Sequence, residues 1–302
     1  MSSPTPVVLI ASLMCAAGLQ QAPFRTTTDI VPVYATVLDK DRLVTDLKQS
    51  DFTITDNGKV QEITFFSNEV APFSGVVMLD RSGSMFSYQL AIREAASAFV
   101  RQLFPDDLVR IGSFGDNGGN RIVIRPSAFT DSKGELLEIL NAPIGLGNTS
   151  PVFISIDQSI TALLQRSGRR VVVIFSDGYD APAKSLMAVK PKDLIDRARQ
   201  ADVLVYALGV VRVEDRGQGR APRVTPPDPI LEQLAKETGG SFFELRDSSD
   251  LTRLFTRVLE ELHRQYTIGF VPQVRDGKVH TIQVKVNNKD LTVRARQSYF
   301  AR

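Results

Sequence analysis

The chain has 302 residues, with 36 Lys and Arg against 34 Asp and Glu. That near balance, without a long basic run, gives no electrostatic reason to expect nucleic acid or an anionic membrane surface as a partner. The length suits one sizeable α/β core with a smaller companion, while a single cysteine and two histidines exclude a disulfide framework and leave few candidates for a catalytic base.

Val7 to Leu19 is an apolar stretch that ends in Ala16-Ala17-Gly18 ahead of Gln20-Gln21. It is too short for a permanent membrane span and has the pattern of a secretory signal peptide, although no Lys or Arg precedes it. Cys15 lies inside it behind bulky Leu13 and Met14, so cleavage without lipidation is the expectation. Residues 1–24 are therefore read as a signal peptide, and the mature chain as secreted or periplasmic.

Residues 25–72 read as a β segment. Val31, Val33, Ala35 and Val37 alternate with other residues, and Phe52 and Ile54 lead into Asp56-Asn57-Gly58, a strong hairpin signal because Asn-Gly tolerates the positive φ such a turn needs. From Phe73 to Leu262 strands and helices alternate, which predicts a mainly parallel sheet with helices on both faces. Leu108–Phe114 and Arg121–Arg125 flank Gly115-Asp116-Asn117-Gly118-Gly119-Asn120 as a hairpin, so one edge strand is expected to be antiparallel. Arg212 to Pro229 is charged and Pro-rich, readable either as a plain surface insertion or as a loop that frames a site. Residues 263–302 return to alternating strands, with a turn at Asn287-Asn288-Lys289-Asp290 and His280 at the start of an exposed-looking strand. Each flank alone has too few strands to bury two faces, so 25–72 and 263–302 are expected to pack together with 73–262 inserted between them.

The chemistry lies at strand ends. The apolar run Gly75-Val76-Val77-Met78-Leu79 is followed by Asp80-Arg81-Ser82-Gly83-Ser84, which delivers one carboxylate and two hydroxyls together. Oxygen donors of this kind suit a small hard cation that keeps several waters. Downstream, Thr149 precedes Pro151 at the head of the helical pattern Val152, Ile156, Ile160, Leu163, and the strand Val171–Phe175 ends in Ser176-Asp177-Gly178.

The Asp-x-Ser-x-Ser spacing, followed in order by a loop Thr and a second strand-end Asp, resembles the metal-ion-dependent adhesion site of von Willebrand factor type A domains. The flanks, with Gln265 to Phe270, Asp276-Gly277-Lys278 and the terminal Tyr299-Phe300-Ala301, resemble bacterial secreted proteins related to that family. One departure is that Leu146-Gly147-Asn148 stands where Gly-Gly often precedes the Thr. The resemblance implies a Rossmann-like α/β sheet and a Mg²⁺ ion, with Mn²⁺ or Ca²⁺ as alternatives. Asp80, Ser82 and Ser84 would hold the ion directly, and Thr149 and Asp177 directly or through water. The implied partner is a protein presenting an Asp or Glu carboxylate.

Enzymatic readings fit less well. A haloacid-dehalogenase-type phosphatase needs a second Asp two residues after the first, where this chain has Ser82, and a serine hydrolase needs a base near Ser82 or Ser84, with only His263 and His280 to choose from. No Gly-rich phosphate loop ends in Lys-Ser or Lys-Thr. A scaffold in which the ion only orders loops is the remaining alternative to a binding module.

Overall fold

The computed structural model describes residues 30–115, 122–143, 147, 149–182, 188–214, 216–217 and 221–302. The expected export signal with Cys15, the hairpin tip at 116–120, and Leu146 and Asn148 of the Thr149 loop lie outside the described residues. In chain order the elements are β1 (Val31–Asp39), β2 (Arg42–Leu43), β3 (Phe52–Asp56), β4 (Lys59–Gln61), β5 (Phe65–Ser67), β6 (Phe73–Asp80), α1 (Gln89–Gln102), β7 (Leu108–Phe114), β8 (Val123–Thr130), α2 (Lys133–Asn141), α3 (Val152–Leu163) and β9 (Arg169–Ser176). They continue with α4 (Pro191–Gln200), β10 (Val203–Val210), β11 (Arg212–Glu214), β12 (Arg223–Thr225), α5 (Pro229–Thr238), β13 (Phe242–Leu245), α6 (Leu251–Arg264), β14 (Tyr266–Phe270), β15 (Val279–Val286), β16 (Thr292–Ala295) and β17 (Ser298–Phe300). No helix among the described residues is long and apolar enough to cross a membrane.

The central sheet runs β13-β10-β9-β6-β7-β8, parallel throughout except that β8 pairs antiparallel with β7 at the edge. Its strands β6, β9 and β10 are apolar on both faces, as a sheet covered by helices on two sides requires. Alternate residues divide between two cores. Val77, Leu79, Val171, Val173 and Phe175 join side chains of α1, α2 and α6, whereas Val76, Met78, Val172 and Ile174 join α3, α4 and α5. Val76, Val77, Met78 and Leu79 are each at most 1% exposed. At about 1.5–3 kcal/mol per buried apolar side chain, these four stabilise β6 more than any one loop interaction at its end could.

The strands on either side of this sheet pair with one another. β1 runs antiparallel to β14 and β16, and β5 antiparallel to β14. In a second sheet of order β17-β15-β3-β4, β3 pairs with β15. Val33 and Ala35 of β1, Ile54 of β3, Tyr266 and Ile268 of β14 and Ile282 of β15 belong to one apolar cluster shared by the two sheets. The Asn287–Asp290 turn therefore does not close a hairpin; it passes the chain from one sheet to the other.

His280 is not exposed. It is 4% accessible, with Nδ1 2.8 Å from Asp56 Oδ1 and Nε2 3.2 Å from Asp276 Oδ1. The strand alternation places it on the same face as Ile282, which is the face the β unit buries. Arg212 to Pro229 is also more than a plain insertion, because β11 and β12 pair antiparallel within it.

Candidate metal centre

In open α/β sheets a crevice forms at the carboxyl ends of neighbouring strands whose connections leave in opposite directions. Here those strands are β6, which continues to β7 on one side, and β9, which continues to β10 on the other. Asp80 is the last residue of β6, and Ser176 ends β9 in matching register with Asp177 directly after it. The sheet topology alone thus brings the two carboxylates of the sequence motif to one crevice.

Asp80 is fully buried and its carboxylate is held by three donors. Oδ1 accepts the Ser82 N–H at 2.8 Å, and Oδ2 accepts the hydroxyls of Ser176 at 2.7 Å and Ser150 at 3.2 Å. Even so, burial pushes the carboxyl up to about 6, with the nearby Asp177 adding to the rise and the hydrogen bonds opposing it. Ser82 opens the 3-10 turn Gly83–Tyr88, and its Oγ lies 3.1 Å from Ser84 Oγ. Ser84 is exposed, so the cluster opens to solvent on that side.

The Thr149 loop is fastened to the same turn by backbone pairing. Gly83 N donates to Gly147 O at 2.9 Å, and Ser150 pairs with Ala181 in both directions, at 2.9 and 2.7 Å. Thr149 therefore sits between a residue bonded to the Ser82–Ser84 turn and one bonded to Asp80. Gly115, at the end of β7, permits this close approach. Its φ is +77°, and a Cβ there would lie 2.7 Å from Thr149 O and 2.9 Å from Ser82 N, so only glycine fits.

Asp177 is 1% exposed, and its Oδ1 accepts the Tyr179 N–H at 3.1 Å. Oδ2 is buried and has no hydrogen-bond partner among the described residues. The nearest cation is Arg212 of β11, with Nε at 3.4 Å, and the guanidinium lies over the Tyr179 ring at 4.5 Å. Tyr179 in turn donates its hydroxyl to Pro226 O at 3.0 Å, so the β11–β12 segment is tied to the Asp177 loop at two points.

These residues fit a hard cation on the chemistry of the donor set. Two buried carboxylates, one with an oxygen that accepts no hydrogen bond among the described residues and the other disfavoured as an anion, stand beside two serine hydroxyls. Among the described residues no group of three or more His, Cys, Asp or Glu comes together as a metal-binding set, so a cation here would depend on hydroxyl and water oxygens beside the carboxylates. The structure gathers Asp80, Ser82 and Ser84 through direct hydrogen bonds and brings Thr149 and Asp177 to them through their neighbours. Sequence reasoning missed the roles of Ser150, Ser176 and Arg212. The two serines adjoin motif residues and could have been flagged as supports for Asp80, whereas no local signal links Arg212 to Asp177.

A sequence profile of the von Willebrand factor type A domain matches residues 76–257. The chain belongs to this family. Among solved structures, a von Willebrand factor type A protein from Catenulispora acidiphila is 15% identical with a TM-score of 0.50, the alignment covering 83% of this chain and 72% of that one. Proximal thread matrix protein 1 from the mussel byssus, with a zinc-occupied MIDAS motif, is 14% identical with a TM-score of 0.50 over 67% of this chain and 48% of its own. At these identities both are similar to this chain in fold. A comparison with curated proteins finds no match.

Proposed function

We propose that this von Willebrand factor type A protein is a non-enzymatic binding module in which Asp80, Ser82, Ser84, Thr149 and Asp177 hold a divalent cation, Mg²⁺ ahead of Mn²⁺ or Ca²⁺, that captures an Asp or Glu carboxylate of a protein partner. The observation that carries this reading is the pair of buried carboxylates at the sheet crevice, a desolvated Asp80 and an Asp177 whose Oδ2 accepts no hydrogen bond among the described residues and has the Arg212 guanidinium, Nε at 3.4 Å, as its counter-charge. One guanidinium does not balance two buried carboxylates, and buried charges left without compensation are rare. Bound there, the cation supplies an electrophilic centre for an incoming carboxylate.

The chain's own residues do the positioning. Ser82 N–H, Ser150 and Ser176 fix the rotamer of Asp80, so that its carboxylate is held in place before any ligand arrives. Asp177, with Arg212 partly balancing its charge, acts at longer range or through water, which leaves the site more electrophilic than two direct carboxylates would. Non-enzymatic function is supported by the histidines, whose ring partners are Asp107 for His263 and Asp56 and Asp276 for His280, none of them a site residue.

The domain reading belongs to the same proposal: 73–262 forms the binding domain, inserted into a discontinuous β unit of 25–72 and 263–302, and residues 1–24 direct export to the periplasm or medium. Pairing of β1 with β14 and of β3 with β15 supports the discontinuous unit. The decisive experiment is calorimetry with Mg²⁺ on wild type and Asp80→Ala. Loss of binding in a folded variant is expected, because β6 is held by burial of its apolar residues. Equal affinity in both proteins would remove the site assignment. Retained folding in chelator, together with partner capture that chelator abolishes, separates a binding module from a scaffold in which the ion only orders loops.

A further inference from the structure

The stretch just after the metal motif carries a second surface feature. On the 3-10 turn and the first turns of α1, Phe86, Gln89, Leu90 and Arg93 recur at helical spacing, a stripe distinct from the buried Ile92, Ala96, Phe99 face of the same helix. Phe86 is 67% and Leu90 58% exposed. Single exposed apolar side chains are ordinary, but here two on adjacent turns border a groove of about 240 Å³ between this stripe and the end of α2 at Leu140, Ala142 and Pro143.

The charged part of the groove is one-sided. Arg81 and Arg93 line it, and no acidic side chain among the described residues does. Arg81 is 5% exposed and donates Nη1 to Gln89 Oε1 at 2.6 Å, while its Nε is buried without a hydrogen-bond partner among the described residues. Gln89 is itself committed to the backbone oxygens of Asp80 and Met85, at 3.1 and 3.2 Å, so it is a fixed neutral prop rather than a counter-charge. Arg93 is exposed and makes no ion pair with any described residue. Two guanidiniums lining one groove, with no acidic side chain among its described lining residues, define a place for a carboxylate. Arg81 lies between Asp80 and Ser82 in the chain, so this place adjoins the proposed cation site directly.

Resting on the reading above, we propose that this groove is a second contact for the same protein partner, taking a segment with two acidic side chains and a large apolar one between them. The first carboxylate meets the cation site, the apolar side chain lies over Phe86 and Leu90, and the second carboxylate sits between Arg81 and Arg93. The arrangement makes capture selective, since a single carboxylate at a cation distinguishes few partners, whereas an apolar contact and a second charge at fixed separations distinguish many.

The test uses the full chain loaded with Mg²⁺ and fluorescein-labelled peptides, Gly-Asp-Phe-Gly-Glu-Gly against the same peptide with Gln in place of Glu, read by anisotropy. Wild type is expected to bind the diacidic peptide at least fivefold more tightly than the Gln peptide, and Arg93→Ala is expected to erase that difference while binding the Gln peptide like wild type. Phe86→Ser should weaken both peptides. Both positions are exposed, so the variants keep the fold, which circular dichroism checks. If Arg93→Ala retains the preference, or if wild type shows none while chelator still abolishes binding, the groove proposal falls and the cation reading stands. Binding that ignores chelator but follows Arg93 keeps the groove and removes the cation reading. Failure of Mg²⁺-loaded wild type to bind either peptide at millimolar concentration overturns the groove.

Discussion

Asp80 is fully buried among donors that only partly offset its desolvation, and its carboxyl titrates at about 6 in the fold against the ordinary 3.8. A raised carboxyl pKa means that the folded state favours the protonated form. The cost of the anion is therefore absent below about pH 4, grows between the two values, and is complete above about pH 6. In the metal-free protein a shift of this size corresponds to roughly 1–3 kcal/mol of lost stability at neutral pH. Asp80→Asn keeps an acceptor for the Ser82 N–H and offers an amide to the hydroxyls of Ser150 and Ser176. It should therefore stabilise the chelated protein by about that amount at pH 7 and by nothing near pH 4. Urea unfolding at the two pH values in EDTA measures it. A variant less stable than wild type at pH 7 would show that the serine hydroxyls compensate the charge fully. The motif residue was legible because Asp80 and its two serines are local in sequence, but the cost was not, since it arises from burial at the crevice and from the nearby Asp177, opposed by the hydroxyls of Ser150 and Ser176, all of them distant in the chain and gathered only by the sheet.

At the scale of elements, the segment from Arg212 to Pro229 was open between a plain surface loop and a frame for the site, and the structure draws its first residue onto Asp177. Arg212 places a positive charge 3.4 Å from Asp177 Oδ2, which accepts no hydrogen bond among the described residues, and there it competes with an arriving cation. A guanidinium several ångströms from a divalent ion, at the high effective dielectric of a partly exposed site, opposes binding by about 1 kcal/mol. Arg212→Gln is accordingly expected to tighten Mg²⁺ binding by roughly fivefold, read by the same calorimetry. Weaker binding would mean instead that Arg212 is needed to hold the Asp177 loop in place. Two other elements escaped sequence reading for identifiable reasons. β13 has only four residues, Phe242–Leu245, without alternation in burial, and α2 is a nine-residue helix with Gly134 in its first turn and only Leu136 and Leu140 buried, too short for a period to register. The parallel strands β6, β9 and β10 were plain because each is a continuous apolar run, which is what burial on both faces demands.

Across the whole molecule, the proposed cation site and the flanking β strands lie at opposite ends of the central sheet. Asp80 and Ser176 close β6 and β9, whereas the links to the flanks gather where those strands begin. Arg169, the first residue of β9 and 3% exposed, donates to the carbonyl oxygens of Leu262 and Gln265, where α6 gives way to β14, and its guanidinium lies over the Tyr34 ring of β1 at 4.7 Å. Gln265 also reaches Tyr206 and Thr36, at 3.1 Å each, and Arg296 meets Asp202 just before β10. A strand of this length spans on the order of 25 Å, and changes that far apart with no shared partner act independently. Arg169→Met fills the space but leaves the two carbonyls without their buried donor and Tyr34 without its cation. The expected loss is about 2–4 kcal/mol, seen as a lower unfolding temperature, with Mg²⁺ affinity unchanged within twofold. Calorimetric unfolding and Mg²⁺ titration on the same preparation test both halves. Affinity that fell in step with stability would show that the flanking strands act on the site through the sheet, rather than serving as a base that turns the metal loops outward.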